Sequence, residues 1–124
     1  MLRIVSDGAA DGVTIRISRF GGITRARQVC DLAVEAGLMV IVACIGGAEI
    51  IPAAMAHMSL STPACLRAHT VDFHNRFSVS NAVDFREVRG GRMQTPYAAG
   101  LGVASLREQF GAPIPAFDLG GHGA

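Results

Sequence analysis

Residues 11–45 restrict the fold more than any other stretch, because they predict two β-strands joined by a helix. Residues 13–18 (VTIRIS) alternate apolar and polar side chains, which is the period of a half-buried strand. The run 38–45 (LMVIVACI) is wholly apolar, as in a parallel strand buried on both faces. A strand, a helical crossover and a second parallel strand make a βαβ unit, which is almost always right-handed.

The helix of this unit has recognisable ends. Gly21 and Gly22 end the first strand, and the Thr24 hydroxyl is expected to cap the helix that follows. The helix is predicted to run to about Ala36, because Gly37 suits the left-handed position after a helix. One apolar stripe is expected to pack on the sheet: Ala26, Val29, Cys30 and Ala33. The charged side chains are expected on a solvated face, with a weak pair between Arg27 and Asp31: Arg25, Arg27, Asp31 and Glu35.

Arg16 is the most informative polar side chain of the first strand. In a β/α barrel one strand face packs under the helices and the other points into the lumen. Val13, Ile15 and Ile17 suit the helix side, so Arg16 is expected to face inward with Thr14 and Ser18. An arginine among apolar neighbours is costly unless it is paired or wet. Two interpretations stay open: an active-site arginine aimed at a carboxylate, or a structural arginine in an ion pair or on an exposed edge strand.

Composition excludes several classes of protein. Half of the residues are hydrophobic, which excludes a disordered chain. The net charge is +1, and eleven arginines spread along the chain are offset by ten acids. Neither nucleic acid nor a membrane is therefore an expected partner. No long apolar segment follows Met1, and three cysteines show no metal-type spacing, so reduced thiols and a cytoplasmic location are expected.

The second half of the chain predicts one more helix and several short strands. A helix is expected over 49–60, where His57 belongs to the packing face and has no second metal ligand four residues away. His57 is therefore expected to be a hydrogen-bonded packing residue. A strand is predicted over 69–73, and a hairpin with a Gly-Gly turn over 85–94. The tail from Phe110 is expected to be poorly ordered.

Three segments together resemble the carboxyl-terminal part of the mandelate racemase/muconate lactonizing enzyme branch of the enolase superfamily. They are residues 13–37 (VTIRISRFGGITRARQVCDLAVEAG), 46–63 (GGAEIIPAAMAHMSLSTP) and 90–103 (GGRMQTPYAAGLGV). Residues 70–75 (TVDFHN) are closest in look to members of the cis-3-hydroxy-L-proline dehydratase type. The resemblance extends over nearly the whole chain. The combination of segments is specific for the family, whereas any single segment would be weak evidence for it.

The resemblance implies an α/β fold: the carboxyl-terminal portion of a (β/α)-barrel, about strands six to eight, and a segment that returns to a capping domain. Residues 1–75 are then a partial barrel, and residues 76–124 are the hairpin and the capping-return segment. Met1 is expected to fall inside the barrel domain, with the family's first five strands upstream of it.

The family chemistry implied by the resemblance is removal of the proton α to a substrate carboxylate, with Mg²⁺ stabilising the ene-diolate. The three metal carboxylates of the family lie on its third, fourth and fifth strands, and a Lys-x-Lys base lies on the second. The resemblance therefore implies Mg²⁺ for the complete parent enzymes and no metal bound by this chain alone.

Four site residues are expected by their place in the resemblance. Arg16 matches the sixth-strand lysine, but an arginine stays protonated near neutral pH and is a poor base that can still hold a carboxylate bidentately. Relatives end the seventh strand in acidic residues, where this chain has Ala43 and Cys44, with Glu49 nearby. Asp72, near the end of the eighth strand, is a further expected substrate contact or, alternatively, a cap or turn residue.

Three functional hypotheses follow. In the favoured one, the chain is a fragment of a dehydratase or epimerase that acts on a small carboxylate substrate, a hydroxyproline-type amino acid or an acid sugar, and is inactive alone. In the second, it associates with a chain that supplies the missing amino-terminal portion. In the third, it is a non-enzymatic module that self-associates through open sheet edges. Unpaired edges also predict poor solubility of the isolated chain.

Overall fold

The computed structural model describes residues 2–44, 48–70, 80–83 and 89–112. These residues form three helices, five strands and two short 3-10 helices at Ile17–Phe20 and Arg107–Gln109. In chain order the elements are α1 (Leu2–Ser6), β1 (Gly12–Arg16), α2 (Ile23–Glu35), β2 (Met39–Ala43), α3 (Ile50–Leu60), β3 (Arg67–Thr70), β4 (Ala82–Val83) and β5 (Ala104–Ser105).

The first three strands form one parallel sheet in the order β1-β2-β3. Arg16 lies beside Ala43, and Val42 lies beside Thr70. Helices α2 and α3 connect these strands, so the predicted βαβ unit is confirmed and is followed by a second one. The α/β class is confirmed as well. The described strands form a three-stranded piece of parallel sheet and no closed barrel.

Strand β1 is shorter than its alternating pattern predicts. It ends at Arg16, and the next four residues form a 3-10 helix. The N–H of Gly21 closes that turn by donating to the carbonyl of Ile17. The prediction that Ser18 lies on the strand face is therefore wrong, because the chain has already turned away from the sheet at that point.

Helix α2 confirms the predicted end and corrects the predicted start. No side chain caps its N-terminus, since Gly22, with a positive φ of 127°, occupies the N-cap position and Thr24 lies inside the helix. At the other end Gly37 has a φ of 73°. The N–H of Gly37 donates to the carbonyl of Val34, and that of Leu38 to the carbonyl of Ala33, each at 2.9 Å. These two bonds are a Schellman motif, which places Leu38 at the start of β2.

The core lies between one face of the sheet and the two helices. Its largest fully buried side chains include Ile15 of β1, Val40 and Val42 of β2, Cys30 of α2 and Met55 of α3. The packing role expected of Cys30 is confirmed, because its thiol is buried, and the thiol of Cys44 is buried as well.

The other face of the sheet carries no helix among the described residues. We call it the open sheet face; its side chains share register positions across the sheet and are Thr14, Arg16, Met39, Ile41, Ala43 and His69. Met39 is 44% exposed, so the prediction of a second strand buried on both faces is wrong for this side. The described helices cover one face only, which leaves an apolar strand half uncovered.

Strand β3 begins two residues earlier than predicted and contains an irregularity. Val40 pairs with Arg67 and Ile41 with His69, so Ala68 is an extra residue in β3. This bulge leaves both Arg67 and Thr70 on the helix side. There the Arg67 guanidinium donates to the carbonyls of Ser59 and Leu60, and the Thr70 hydroxyl donates to the Ser59 hydroxyl at 2.9 Å. Residues 71–73 of the predicted strand lie outside the described residues.

Arg27 joins the two helices. It donates to the Asp31 carboxylate, which confirms the predicted pair, and also to the Ser61 carbonyl at 2.9 Å. The expectation of a purely solvated face is therefore wrong for Arg27. The second bond reaches the C-terminal end of α3, where free carbonyls need donors.

The carboxyl-terminal part contains a small antiparallel ribbon of β4 and β5. Arg89 and Arg92 pair across Gly90 and Gly91, whose φ angles are 56° and 72°, so the predicted Gly-Gly turn is confirmed. Residues 85–88 of that hairpin and the tail 113–124 lie outside the described residues, and the division at residue 75 stays a prediction. In the described part of the chain no helix is both long and apolar enough to cross a membrane.

Candidate functional site

The carboxyl edge of the parallel sheet brings together the ends of three strands. Parallel strands end at the same edge, so Arg16 at the end of β1, Ala43 at the end of β2 and Thr70 at the end of β3 lie along one border. Arg16 and Ala43 occupy the same register position, and Cys44 follows immediately. In α/β folds, ligands bind outside this edge of the sheet.

Arg16 is exposed on the open sheet face at this edge. Among the described residues the only ion pair joins Arg27 and Asp31, so no described carboxylate neutralises Arg16. The described acids therefore offer Arg16 no structural ion pair. Two interpretations remain. In the first, Arg16 is an exposed arginine on an edge strand, because β1 is an outer strand of the described sheet. In the second, its guanidinium is available to an external carboxylate.

Cys44 lies deeper than Arg16. Its side chain is only 8% exposed and belongs to the hydrophobic cluster with Val42 and Met55. The structure therefore gives Cys44 a packing role, and its contact with a substrate stays a prediction.

Glu49 is held by a backbone group from a distant part of the chain. Its Oε2 accepts a hydrogen bond from the N–H of Asn81 at 2.9 Å. Burial alone would raise the pKa of the Glu49 carboxyl, but bonds from the N–H of Asn81, its own N–H and the Ser80 hydroxyl lower that pKa below the ordinary value. Glu49 thus ties the N-terminal end of α3 to residues 80–83, and substrate binding by its carboxylate stays a prediction.

Acidification is expected to weaken this tie. A carboxyl whose pKa is lowered by folding stabilises the fold fully above its ordinary pKa of 4.5 and loses that contribution as pH falls through the folded pKa. Glu49→Gln should cost about 1 kcal/mol of unfolding free energy at pH 7 and remove part of the stability loss below pH 4.5. Urea unfolding at several pH values measures both. The exposed Glu35→Gln is the control, and equal effects of the two variants would contradict the assignment.

The predictions for His57 and Asp72 have different outcomes. His57 is hydrogen-bonded through Nε2 to the Leu101 carbonyl at 3.1 Å, which confirms the packing role and ties α3 to the loop at 96–103. Asp72 and His74 lie outside the described residues, so the contact expected of Asp72 stays a prediction. Nowhere in the described ranges do three or more His, Cys, Asp or Glu side chains come close enough to hold a metal ion.

Asn81 is the residue near this edge that sequence reasoning missed. Its N–H binds Glu49, its carbonyl accepts from the N–H of Leu106 at 3.0 Å, and its side-chain Oδ1 is buried without a hydrogen-bond partner. Glu49 and Asn81 are 32 residues apart, and no periodic pattern links them. The only signal in the sequence was the residue type, because an asparagine side chain can both donate and accept hydrogen bonds.

The comparisons with known proteins agree with this geometry. A family model described as "Enolase C-terminal domain-like" matches residues 1–109. A cis-3-hydroxy-L-proline dehydratase of Roseibium aggregatum is 30% identical to the chain over 114 residues. The structure superimposes on a mandelate racemase/muconate lactonizing enzyme from Roseovarius nubinhibens ISM with a TM-score of 0.83 at 32% identity. It also superimposes on an enolase superfamily member from the same organism, complexed with magnesium, with a TM-score of 0.83 at 33% identity.

These matches cover most of this chain but only a minor part of each relative. The match covers 92% of this chain and 31% of the Roseibium aggregatum protein. Each of the two solved structures is covered to 31%, by 91% of this chain. The chain thus spans about a third of the length of the relatives that it matches.

Proposed function

Because this chain belongs to the enolase C-terminal domain-like family, in the mandelate racemase/muconate lactonizing enzyme branch of the enolase superfamily, we propose that it forms the carboxyl-terminal barrel section of an enzyme that removes the proton α to a carboxylate. The observation that carries the proposal is the 30% identity, over 92% of the chain, to a cis-3-hydroxy-L-proline dehydratase. The proposed substrate is a hydroxyproline-type amino acid, and an acid sugar is the second choice within this chemistry.

Arg16 is the proposed substrate-carboxylate ligand of this section. It is exposed at the carboxyl edge of the sheet, and no described acid neutralises it. A guanidinium presents two parallel N–H donors that match a carboxylate, and it keeps its proton, so Arg16 binds the substrate and does not remove its proton. Glu49, Cys44 and Asp72 remain proposed neighbours of the substrate.

Magnesium is a proposed requirement of the complete enzyme. When bound, a divalent cation stabilises the negative charge that develops on the substrate carboxylate. A solved relative is complexed with magnesium. The described residues do not fit the ion, since they contain no group of three candidate ligand side chains. The proposed metal ligands therefore lie outside these residues, and the 124-residue chain is proposed to be inactive alone.

Substitution of Arg16 tests the carboxylate role. In the native enzyme that carries these residues, Arg16→Gln should raise KM for cis-3-hydroxy-L-proline about tenfold or more, because a charge-assisted bidentate contact is lost. Arg16→Lys should raise KM less than Arg16→Gln does, since lysine keeps the positive charge. Arg25→Gln, at an exposed position of α2, is the matched control. The carboxylate role is wrong if Arg16→Gln and Arg25→Gln leave KM equally unchanged.

The open sheet face favours a second candidate function, that of an association module. The outer edges of β1 and β3 are unpaired among the described strands, and Met39 and Ile41 lie uncovered between them. Unpaired strand edges and uncovered apolar side chains favour association with another chain. The proposed partner is a chain that supplies the remaining barrel strands, or a second copy. Light scattering of the isolated chain over a range of concentrations should show self-association, and a monodisperse monomer would contradict the second copy.

A further inference from the structure

A cleft of about 510 Å³ lies between α3, β3 and the segment 91–95. Its polar lining comes from Ser59 of α3, from Arg67, His69 and Thr70 of β3, and from Arg92 and Thr95. We call it the cationic cleft. Its volume falls within the range of roughly 300–1,000 Å³ typical of small-molecule sites.

The charges around the cationic cleft have one sign. None of its described lining residues is an aspartate or a glutamate. Neither Arg67 nor Arg92 forms an ion pair with a described acid. Two guanidinium groups beside one cavity repel each other unless an anion or water lies between them.

The two arginines are held from different sides. Arg67 is half-buried, and its guanidinium donates to the carbonyls of Ser59 and Leu60 at 3.3 and 3.4 Å, which fixes it at the C-terminal end of α3. Arg92 is exposed on a tight turn closed by two backbone hydrogen bonds with Arg89, at 2.8 and 3.0 Å. Both bonds of Arg67 use Nη1, so among the described residues its Nε and Nη2 donors remain for a ligand, and the exposed Arg92 guanidinium supplies the second group.

We propose that the cationic cleft binds a small dianion, a phosphate or a dicarboxylate, between Arg67 and Arg92. Guanidinium groups recognise both anions through paired N–H donors. The Thr95 hydroxyl lies in the same lining and supplies a neutral donor. This site does not depend on the proposed enzymatic function, because it uses none of the proposed substrate contacts Arg16, Cys44 and Glu49.

Titration of the chain with inorganic phosphate and, separately, with malonate tests the site. Calorimetry at constant ionic strength should give saturable binding of at least one of the two, and the one that binds identifies the chemistry. Arg92→Gln should weaken that binding about tenfold, because the exposed guanidinium is lost. Arg107→Gln, at an exposed position outside the cleft, should leave it unchanged.

NMR chemical shifts in the same titration locate the ion. Shifts of the amides of residues 67–70 and 91–95, with those of residues 23–35 unmoved, would support the site. Absence of saturable binding to either anion would overturn the proposal. Equal binding by the Arg92→Gln and Arg107→Gln variants, with circular dichroism unchanged, would also overturn it.

Discussion

Replacing Met55 by alanine is expected to lower the free energy of unfolding by about 2–5 kcal/mol. Met55 lies on α3, is 0% exposed, and belongs to the same cluster as Val40, Val42 and Cys30. Removing its side chain deletes buried apolar atoms and leaves a cavity where α3 packs on the sheet. Because small domains are stable by only about 5–15 kcal/mol, this loss is a large part of the total.

Leu60→Ala is the matched control for Met55→Ala. Leu60 lies on the same helix and is also a large apolar residue, but it is 61% exposed. Its replacement should cost less than about 1 kcal/mol, because little buried area is lost. Urea unfolding followed by circular dichroism measures both variants. Equal losses would mean that α3 does not pack on the sheet through the Met55 side.

Gly102→Ala is expected to destabilise the loop at 96–103 by about 2–4 kcal/mol, the sum of a backbone and a steric cost. Gly102 has a φ of 69°, which disfavours any residue with a Cβ. A Cβ at this position would lie 2.4 Å from the Cβ of Pro96. Pro96 is buried, so it has little room to move.

Gly100→Ala separates the two costs. Gly100 has nearly the same φ, 70°, but nothing lies within 4 Å of the added Cβ. It should therefore lose only the backbone cost of about 1–2 kcal/mol. Hydrogen exchange of the Leu106 amide, which donates to Asn81, reports the loop locally. If both variants exchange this amide at the same rate, the contact between Gly102 and Pro96 is not tight.

The parts of the fold that could be predicted are those set by local periodicity. The alternation in residues 13–16, the apolar run of β2 and Gly37 after α2 each act within a few residues. The structure confirms the two strands and the end of the helix, but not the burial of β2 on both faces. The i,i+4 pair of Arg27 and Asp31 is local in the same way.

The parts that could not be predicted depend on residues far apart in the chain. Arg27 bonds the carbonyl of Ser61, 34 positions away, and Glu49 bonds Asn81, 32 positions away. The cap expected of Thr24 was wrong for a different reason, because Gly22, with a positive φ, occupies the N-cap position and α2 starts without a side-chain cap.

The candidate site was predicted in part. Arg16 does lie exposed at the carboxyl end of a strand, as the alternating pattern indicated. Its role, and those of Cys44, Glu49 and Asp72, came from resemblance and stay predictions. These roles depend on groups that several strands bring together, which no local pattern in the sequence encodes.

The α-proton exchange of cis-3-hydroxy-L-proline in D₂O, followed by NMR, tests the proposed function most directly. The assay compares the isolated 124-residue chain with the native species that an antibody against this chain captures from its source cells. The expected result is magnesium-dependent loss of the α-proton signal with the native species and none with the isolated chain. Exchange by the isolated chain would contradict its inactivity alone. No exchange by the native species, with this substrate or with acid sugars, would contradict the enzymatic role.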